Sequence, residues 1–270
     1  MQPQEPDRKP PRGRGGAFGG IAVALAVAAT KAKALFALLL GAKWLLLAPK
    51  LFFSFGSMFL SVWLYAAIFG GWKIAVVFVL MILVHELGHY LTWRNFGVPV
   101  NLPMFVPFMG AFVSSAGGTP AQNTAAAIAG PIFGIAAAAT CWAYGAWTGQ
   151  HFWLACAYIG FFLNLFNLIP TPPFDGGAIA GAIDARLWIA GVVVLILWIA
   201  FVGFSVFAVV ILILIALNTI PRIIALVRGE IDPRGSGLTT GQRVATTVAY
   251  LGTVGIAIAG ASATHLTAPR

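Results

Sequence analysis

The segment Lys73–Arg94, KIAVVFVLMILVHELGHYLTWR, combines a long apolar run with two histidines and a glutamate. It is long enough to cross a bilayer as an α-helix, which takes about 20 mostly apolar residues. An ionisable side chain near the centre of a membrane helix costs roughly 2.5–3.5 kcal/mol on insertion scales. Three such groups within five positions therefore need compensating partners, and in a membrane segment such groups generally mark a functional site.

The composition of the whole chain is that of a polytopic membrane protein. Of its 270 residues, 60% are hydrophobic and 9% are charged, against about 25% charged in a soluble domain. The net charge of +9 does not predict nucleic-acid binding, because the basic residues lie between apolar runs rather than in one patch. Cys141 and Cys156 both lie in apolar segments, which predicts packing roles and no disulfide.

The apolar runs predict an all-α polytopic membrane protein with about seven transmembrane helices. The predicted spans are Leu51–Gly70, Lys73–Arg94, Gln122–Trp147, Phe152–Ile169, Leu187–Val202, Ser205–Val227 and Arg243–Ser262. The run 187–227 is divided near Gly203, because it is too long for one crossing of a hydrocarbon core about 30 Å thick. Nearly all the basic residues then fall on one side, which the positive-inside rule places in the cytoplasm. We expect a cell (inner or plasma) membrane.

The regions outside these spans differ in composition. Residues 1–16 are rich in proline, glycine and charge, which predicts a disordered basic tail. Residues 17–50 interrupt an apolar run with lysines, which favours an amphipathic segment at the membrane surface, with an additional span as the alternative. Residues 51–262 then form the transmembrane domain, and 263–270 form a C-terminal tail.

The segment 95–121, NFGVPVNLPMFVPFMGAFVSSAGGTPA, carries no charge and contains four prolines. It is therefore no ordinary helix, yet it is too apolar for a free aqueous loop. Irregular backbone at membrane depth is tolerated only where protein buries it or where it lines a cavity. We predict a re-entrant, partly extended loop that returns towards the histidines.

His85, Glu86 and His89 form the pattern H-E-x-x-H. Helical positions four apart share a face, so both imidazoles can bind one metal ion. Zinc lowers the pKa of a neighbouring water towards about 7, and Glu86 is placed to accept a proton from that water. The alternative is a pair of membrane histidines hydrogen-bonded to neighbouring helices, with Glu86 paired to one of them. The insertion cost of three ionisable groups disfavours this alternative.

A catalytic zinc site generally has three protein ligands, so one ligand remains to be found. His151 and His265 fall at the opposite end of the predicted spans. The acidic candidates on the same side as His89 are Asp175, Asp184, Glu230 and Asp232. The last two lie between arginines, as solvated loop residues do. Asp175, in NLFNLIPTPPFDGG, is either a turn or helix-cap aspartate before glycine or the missing ligand, and the incomplete ligand set favours the latter.

The sequences HELGH at 85–89 and NLIPTPPFDGG at 167–177 resemble motifs of the site-2 protease family of intramembrane zinc metalloproteases. AGPIFG at 129–134 and VPFMGAFV at 106–113 are also similar to segments of that family. The resemblance covers roughly residues 51–250.

The resemblance implies roles for individual residues. His85, His89 and Asp175 would bind one zinc ion per chain, and Glu86 would be the general base and acid. Asn167 would steady the oxyanion or orient the substrate carbonyl, with a buried interhelical hydrogen bond as the alternative role. Two glycines at small-residue spacing, Gly130 and Gly134, predict helix packing.

The resemblance also implies an activity. The expected substrate is a transmembrane protein in the lipid bilayer, hydrolysed within or near its transmembrane segment during regulated intramembrane proteolysis. Three alternatives stay open: a membrane-embedded zinc peptidase acting on soluble peptides, a metal transporter, and a catalytically silent homologue that binds membrane partners. No nucleic acid is expected as a partner, and the sequence predicts no oligomeric state.

Overall fold

A computed structural model describes residues 31, 33, 52–106, 110–203 and 205–265 of the chain. The predicted basic tail, 1–16, lies outside the described residues. So does the predicted surface segment, 17–50, except for Lys31 and Lys33, and so do residues 266–270. The described part is predominantly α-helical, as the apolar runs predict.

The helices follow the apolar runs in chain order. They are α1 (Phe52–Phe69), α2 (Trp72–Asn95), α3 (Pro120–Thr148), α4 (His151–Asn167), α5 (Asp175–Ile183), α6 (Leu187–Val202), α7 (Val206–Asn218), α8 (Ile220–Val227) and α9 (Thr240–His265). Within the described residues, five stretches are long and apolar enough to cross a membrane: α1, α2, α3, residues 208–227 and α9. The chain is therefore a multi-pass membrane protein. Because α4 and α6 are apolar but shorter, the number of seven spans stays a prediction.

Two helix boundaries have local causes. Helix α6 ends at Val202, and Gly203 follows with a φ of 95°, a left-handed conformation that glycine adopts at little cost. The predicted span Ser205–Val227 contains a helix boundary at Thr219, and Pro221 lies in the first turn of α8. Proline is tolerated there because its missing N–H would have no intrahelical partner.

The segment between α2 and α3 contains a short antiparallel hairpin. Its strands are β1 (Met104–Val106) and β2 (Gly110–Phe112), and Phe105 lies opposite Ala111. Ser54 Oγ of α1 donates a hydrogen bond to the Pro103 carbonyl at 2.5 Å, and the Phe105 N–H donates to Ser57 Oγ at 3.2 Å. The segment 95–121 is therefore partly extended, as predicted, whereas its re-entrant path through a membrane stays a prediction.

Helices α2 and α3 pack closely because a glycine lies at their contact. A Cβ added at Gly88 of α2 would lie 2.5 Å from the carbonyl oxygen of Ala129 in α3. Small residues allow helix backbones to approach in this way. The approach places the face of α2 that carries His85 and His89 directly against α3.

Candidate metal centre

Three side chains from two distant parts of the chain converge beside α3. Nε2 of His85 lies 2.9 Å from Oδ2 of Asp175, and Nε2 of His89 lies 3.3 Å from the same oxygen. The two Nε2 atoms are 3.1 Å apart. Within the described residues, these three side chains form a group that could hold a metal ion, because all their ligand atoms lie within 4.8 Å of one another. The structure therefore brings together the three residues that the motifs suggested as ligands.

His89 is oriented by the backbone of α3. Its Nδ1 lies 2.8 Å from the carbonyl oxygen of Ala126, an acceptor, so Nδ1 carries the proton and donates. Gly130 lies under the imidazole ring, and a Cβ at this position would overlap the ring atoms. Gly130 therefore serves packing in a specific way, because its lack of a side chain makes room for the imidazole of a candidate ligand.

His85 is oriented by a residue that the sequence analysis did not single out. Its Nδ1 lies 2.8 Å from Oδ1 of Asn164 in α4, and Asn164 is fully buried. A Cβ at Gly134 would overlap the Asn164 amide, so this glycine too accommodates a polar side chain. The feature of the sequence that indicates a role for Asn164 is its position inside an apolar span, where an unpaired amide is costly.

Asp175 is placed by the turn that connects α4 to α5, and surrounding helices hold this turn by hydrogen bonds. Thr219 Oγ1 donates to the Pro172 carbonyl at 2.5 Å, and Tyr250 Oη of α9 donates to the Leu168 carbonyl at 2.5 Å. Trp188 Nε1 of α6 donates to the Gly177 carbonyl at 2.8 Å. The position of the carboxylate therefore depends on helices that carry no ligand themselves.

The chemistry of these donor atoms fits a metal ion. Both Nδ1 atoms face outward to oxygen atoms of Asn164 and Ala126, whereas the Nε2 atoms of His85 and His89 face each other and an Asp175 oxygen. Three acceptors that face one another repel unless a cation or protons lie among them. Two nitrogens bound at 2.0–2.1 Å to a tetrahedral zinc ion lie about 3.3 Å apart, close to the spacing seen here. The three side chains thus fit a small divalent cation with little rearrangement.

Glu86 lies next to the ligands and against the hairpin. Its side chain is buried, and the backbone of Val113, directly after β2, lies near its carboxylate. In contrast, 22% of the Asp175 side chain is exposed, so the cluster is accessible from the Asp175 side. A cavity of about 530 Å³, lined among others by Thr124, Phe174 and Gly177, adjoins the turn that carries Asp175.

Asn167 is the last residue of α4 and is half-buried. Within the described residues its side chain makes no hydrogen bond, and it does not belong to the three-residue group. Its role at the oxyanion stays a prediction.

The remaining candidates lie elsewhere. Asp184 accepts hydrogen bonds from Arg186 at 2.6 and 2.9 Å and from Arg234 at 3.2 Å. These bonds, chiefly those from Arg186, hold the pKa of the Asp184 carboxyl well below its usual range. Three further residues are also outside the metal group: Glu230, which pairs with Arg228 at 3.9 Å, and the helix-end histidines His151 and His265.

Asp232, the last of the acidic candidates, accepts a hydrogen bond at 2.9 Å from the backbone N–H of Arg234. It therefore completes a local turn, as expected for a loop aspartate. Asp175 is thus the acidic candidate that the structure brings to the histidines.

Comparison with known proteins agrees with this geometry. No curated protein matches the chain. The model of peptidase family M50 matches two overlapping stretches, residues 73–148 and 143–188. These stretches include the histidines of α2, the glycines of α3 and the turn with Asp175. The resemblance inferred from the motifs is confirmed, because residues 73–188 of the chain match the model of peptidase family M50, the site-2 protease family.

Proposed function

We propose that the chain is an intramembrane zinc metalloprotease that hydrolyses peptide bonds within or near transmembrane segments of membrane proteins. One observation carries the proposal. The two imidazoles of α2, a helix long and apolar enough to cross a membrane, converge within 4.8 Å with the carboxylate of Asp175, beside the buried Glu86. The family match supports the peptidase activity, and the position of the site within α2 supports a substrate in the membrane.

In this proposal His85, His89 and Asp175 hold one zinc ion per chain. When bound, zinc supplies a Lewis acid for the scissile carbonyl and lowers the pKa of water. Glu86 accepts a proton from the attacking water and later donates it to the leaving amine. Asn167 is proposed to orient the substrate carbonyl.

The hairpin supplies a candidate edge for substrate binding. The Phe105 N–H points to Ser57, so the Phe105–Ala111 pair is the one that exchanges no hydrogen bonds. The N–H and C=O of Ala111 therefore point away from β1. Val113, two residues further on, faces the same side and lies near Glu86. A substrate strand that pairs with this outer edge of β2 would lie beside Glu86.

The same edge explains how a transmembrane helix could be cut. A peptide bond inside a helix is shielded, because its carbonyl already accepts a backbone hydrogen bond. Unwinding in an apolar environment leaves backbone groups unpaired at a cost of several kcal/mol each. The N–H and C=O of Ala111 offer replacement hydrogen bonds to the unwound segment. We propose that the substrates carry helix-weakening residues near the site.

Two further features belong to the proposal. The arginines at the ends of α2, α5, α8 and α9 favour a cytoplasmic location for the side on which Asp175 lies. The protein is proposed to reside in the cell (inner or plasma) membrane, with residues 51–262 as the protease domain. A metal transporter is less well supported, because the described residues hold one metal-ligand group rather than a series across the spans.

The experiment compares the wild type with Glu86→Gln in detergent micelles. Bound zinc is measured by atomic emission, and cleavage is measured on a transmembrane peptide and on a soluble peptide of matched sequence. We expect both proteins to retain zinc, and the wild type alone to cleave, with preference for the transmembrane peptide. Equal cleavage by Glu86→Gln would refute the assigned base. Preference of the wild type for the soluble peptide would instead identify a peptidase of soluble substrates.

A further inference from the structure

We infer that Asn164 is a positioning residue, which fixes the tautomer of His85 so that Nε2 is left free to bind the metal ion. This inference deepens the proposed function and rests on it for the identity of zinc. It concerns a residue outside both motifs that suggested the ligands, and it requires only contacts within α2, α3 and α4.

The orientation of the Asn164 amide follows from its second hydrogen bond. Nδ2 of Asn164 donates to the backbone carbonyl of Gly160 at 2.7 Å, and Asn164 has no exposed surface. Were the amide rotated by 180°, Oδ1 would face that carbonyl oxygen, two acceptors would be opposed, and no water could intervene. Oδ1 therefore faces Nδ1 of His85, at 2.8 Å.

The orientation of the amide decides where the proton of His85 lies. Oδ1 is an acceptor only, so the neutral imidazole must carry its proton on Nδ1. Nε2 then has a free lone pair, and this is the atom that faces His89 and Asp175. In the other tautomer Nε2 would carry the proton and could not bind a metal ion. A chain of hydrogen bonds thus runs from Gly160 through Asn164 to His85. The Gly160 carbonyl fixes the orientation of the Asn164 amide, and this amide fixes the position of the proton on His85.

The two histidines differ in how they are held. His89 donates to a backbone carbonyl, that of Ala126, which no substitution removes. His85 depends on a side chain, and that side chain depends on the space left by Gly134. Metal affinity is consequently sensitive to substitution at position 164. Loss of such an outer partner typically costs 10–100-fold in metal affinity.

The test uses two substitutions that separate packing from hydrogen bonding. Asn164→Leu has nearly the same shape and fills the site but accepts no hydrogen bond. Asn164→Asp keeps an oxygen acceptor for Nδ1–H. Asn218→Leu is the matched control, because Asn218 of α7 also donates to the carbonyl four residues earlier, at 2.9 Å from Leu214, without contacting a histidine.

Two quantities are measured on the purified full chain in detergent. The first is the dissociation constant for zinc, obtained by competition with a chromophoric chelator. The second is the tautomer of His85 in the metal-free protein, obtained from long-range ¹H–¹⁵N spectra of histidine-labelled protein at alkaline pH. The chain has four histidines, and a His85→Gln sample identifies the relevant signals.

We expect Asn164→Leu to weaken zinc binding about 10–100-fold and to convert His85 from the Nδ1–H form to a mixture of tautomers. Asn164→Asp should restore the Nδ1–H form and most of the affinity, and Asn218→Leu should leave both unchanged. Wild-type tautomer and zinc affinity in Asn164→Leu would overturn the inference, as would equal losses in Asn164→Leu and Asn164→Asp. If the wild type bound no zinc, the proposed function would fail, whereas the metal-free tautomer would still decide the role of Asn164.

Discussion

Oδ2 of Asp175 lies 2.9 Å from Nε2 of His85, although 90 residues separate the two in the chain. His85 and Asp175 come into contact only because the turn after α4 folds back against α2 and α3. Each ligand is therefore held by a different kind of support: a main-chain carbonyl for His89, an asparagine for His85, and a turn hydrogen-bonded from three other helices for Asp175.

Replacement of Asp175 by Asn should greatly weaken metal binding. The substitution removes the negative charge opposite the two imidazoles, so the zinc dissociation constant should rise by more than the roughly 10–100-fold that loss of an outer-shell partner costs. Addition of zinc should also cease to raise the unfolding temperature, because ligand stabilisation grows with the ratio of ligand concentration to Kd. Asp184→Asn is the control, since Asp184 pairs with arginines outside the metal group. Unchanged zinc affinity in Asp175→Asn would exclude it as a ligand.

Replacement of Gly130 by Ala should disturb His89. The added methyl group would overlap the imidazole ring, and overpacking of this kind costs about 1–3 kcal/mol. We expect a lower unfolding temperature and weaker zinc binding. Gly252→Ala and Gly255→Ala in α9 are matched controls, because an added Cβ there meets nothing within 4 Å. If all three variants behave alike, a general effect of helix glycines explains the result, and the specific contact is refuted.

Replacement of Thr219 by Val should loosen the turn that carries Asp175. The substitution keeps the shape but removes a buried hydroxyl that contacts Thr171 Oγ1 at 3.1 Å and donates to the Pro172 carbonyl. Leaving these groups unpaired costs about 1–3 kcal/mol, which differential scanning calorimetry would detect. Thr247→Val is the control, because that hydroxyl bonds only to the carbonyl four residues earlier in its own helix. Equal stability of both variants would show that the turn does not depend on Thr219.

Replacement of Ala111 by Pro should impair substrate binding and spare the metal centre. Proline removes the N–H that points away from β1, so it deletes one hydrogen bond available to a substrate strand. A net loss of about 0.5–1.5 kcal/mol corresponds to roughly a 2- to 12-fold lower kcat/KM on a transmembrane peptide. Zinc content should not change. Ala111→Ser keeps the N–H and should cleave normally, and normal cleavage by Ala111→Pro would rule out strand addition at this edge.

Much of the helical layout is predictable from the sequence, because apolar runs long enough to span a bilayer are a strong signal. The H-E-x-x-H pattern on α2 also predicts two convergent imidazoles. In contrast, the partner of His85 is not predictable from the sequence. Asn164 and Asn167 lie three positions apart at the end of one apolar run, and only the packing of α4 against α3 decides which one faces the histidine.

The supports of the Asp175 turn were equally inaccessible from the sequence. Thr219 lies between two apolar helices and Tyr250 lies within a third, and nothing near them in the chain indicates a contact with residues 168–172. The roles of Gly130 and Gly134 show a related limit. Small-residue spacing predicts close packing, but it does not reveal that the space accommodates an imidazole and an amide.

Tyr250 belongs to α9, the last helix in the described part of the chain, yet its hydroxyl holds the Leu168 carbonyl at the start of the turn that carries Asp175. Arg243 of the same helix donates to the carbonyl of Ala182 at the end of α5, at 3.0 Å. During synthesis the ribosome delivers every ligand before it delivers this brace. The turn that carries Asp175 therefore gains its support from α9 only after all three candidate ligands have been synthesised.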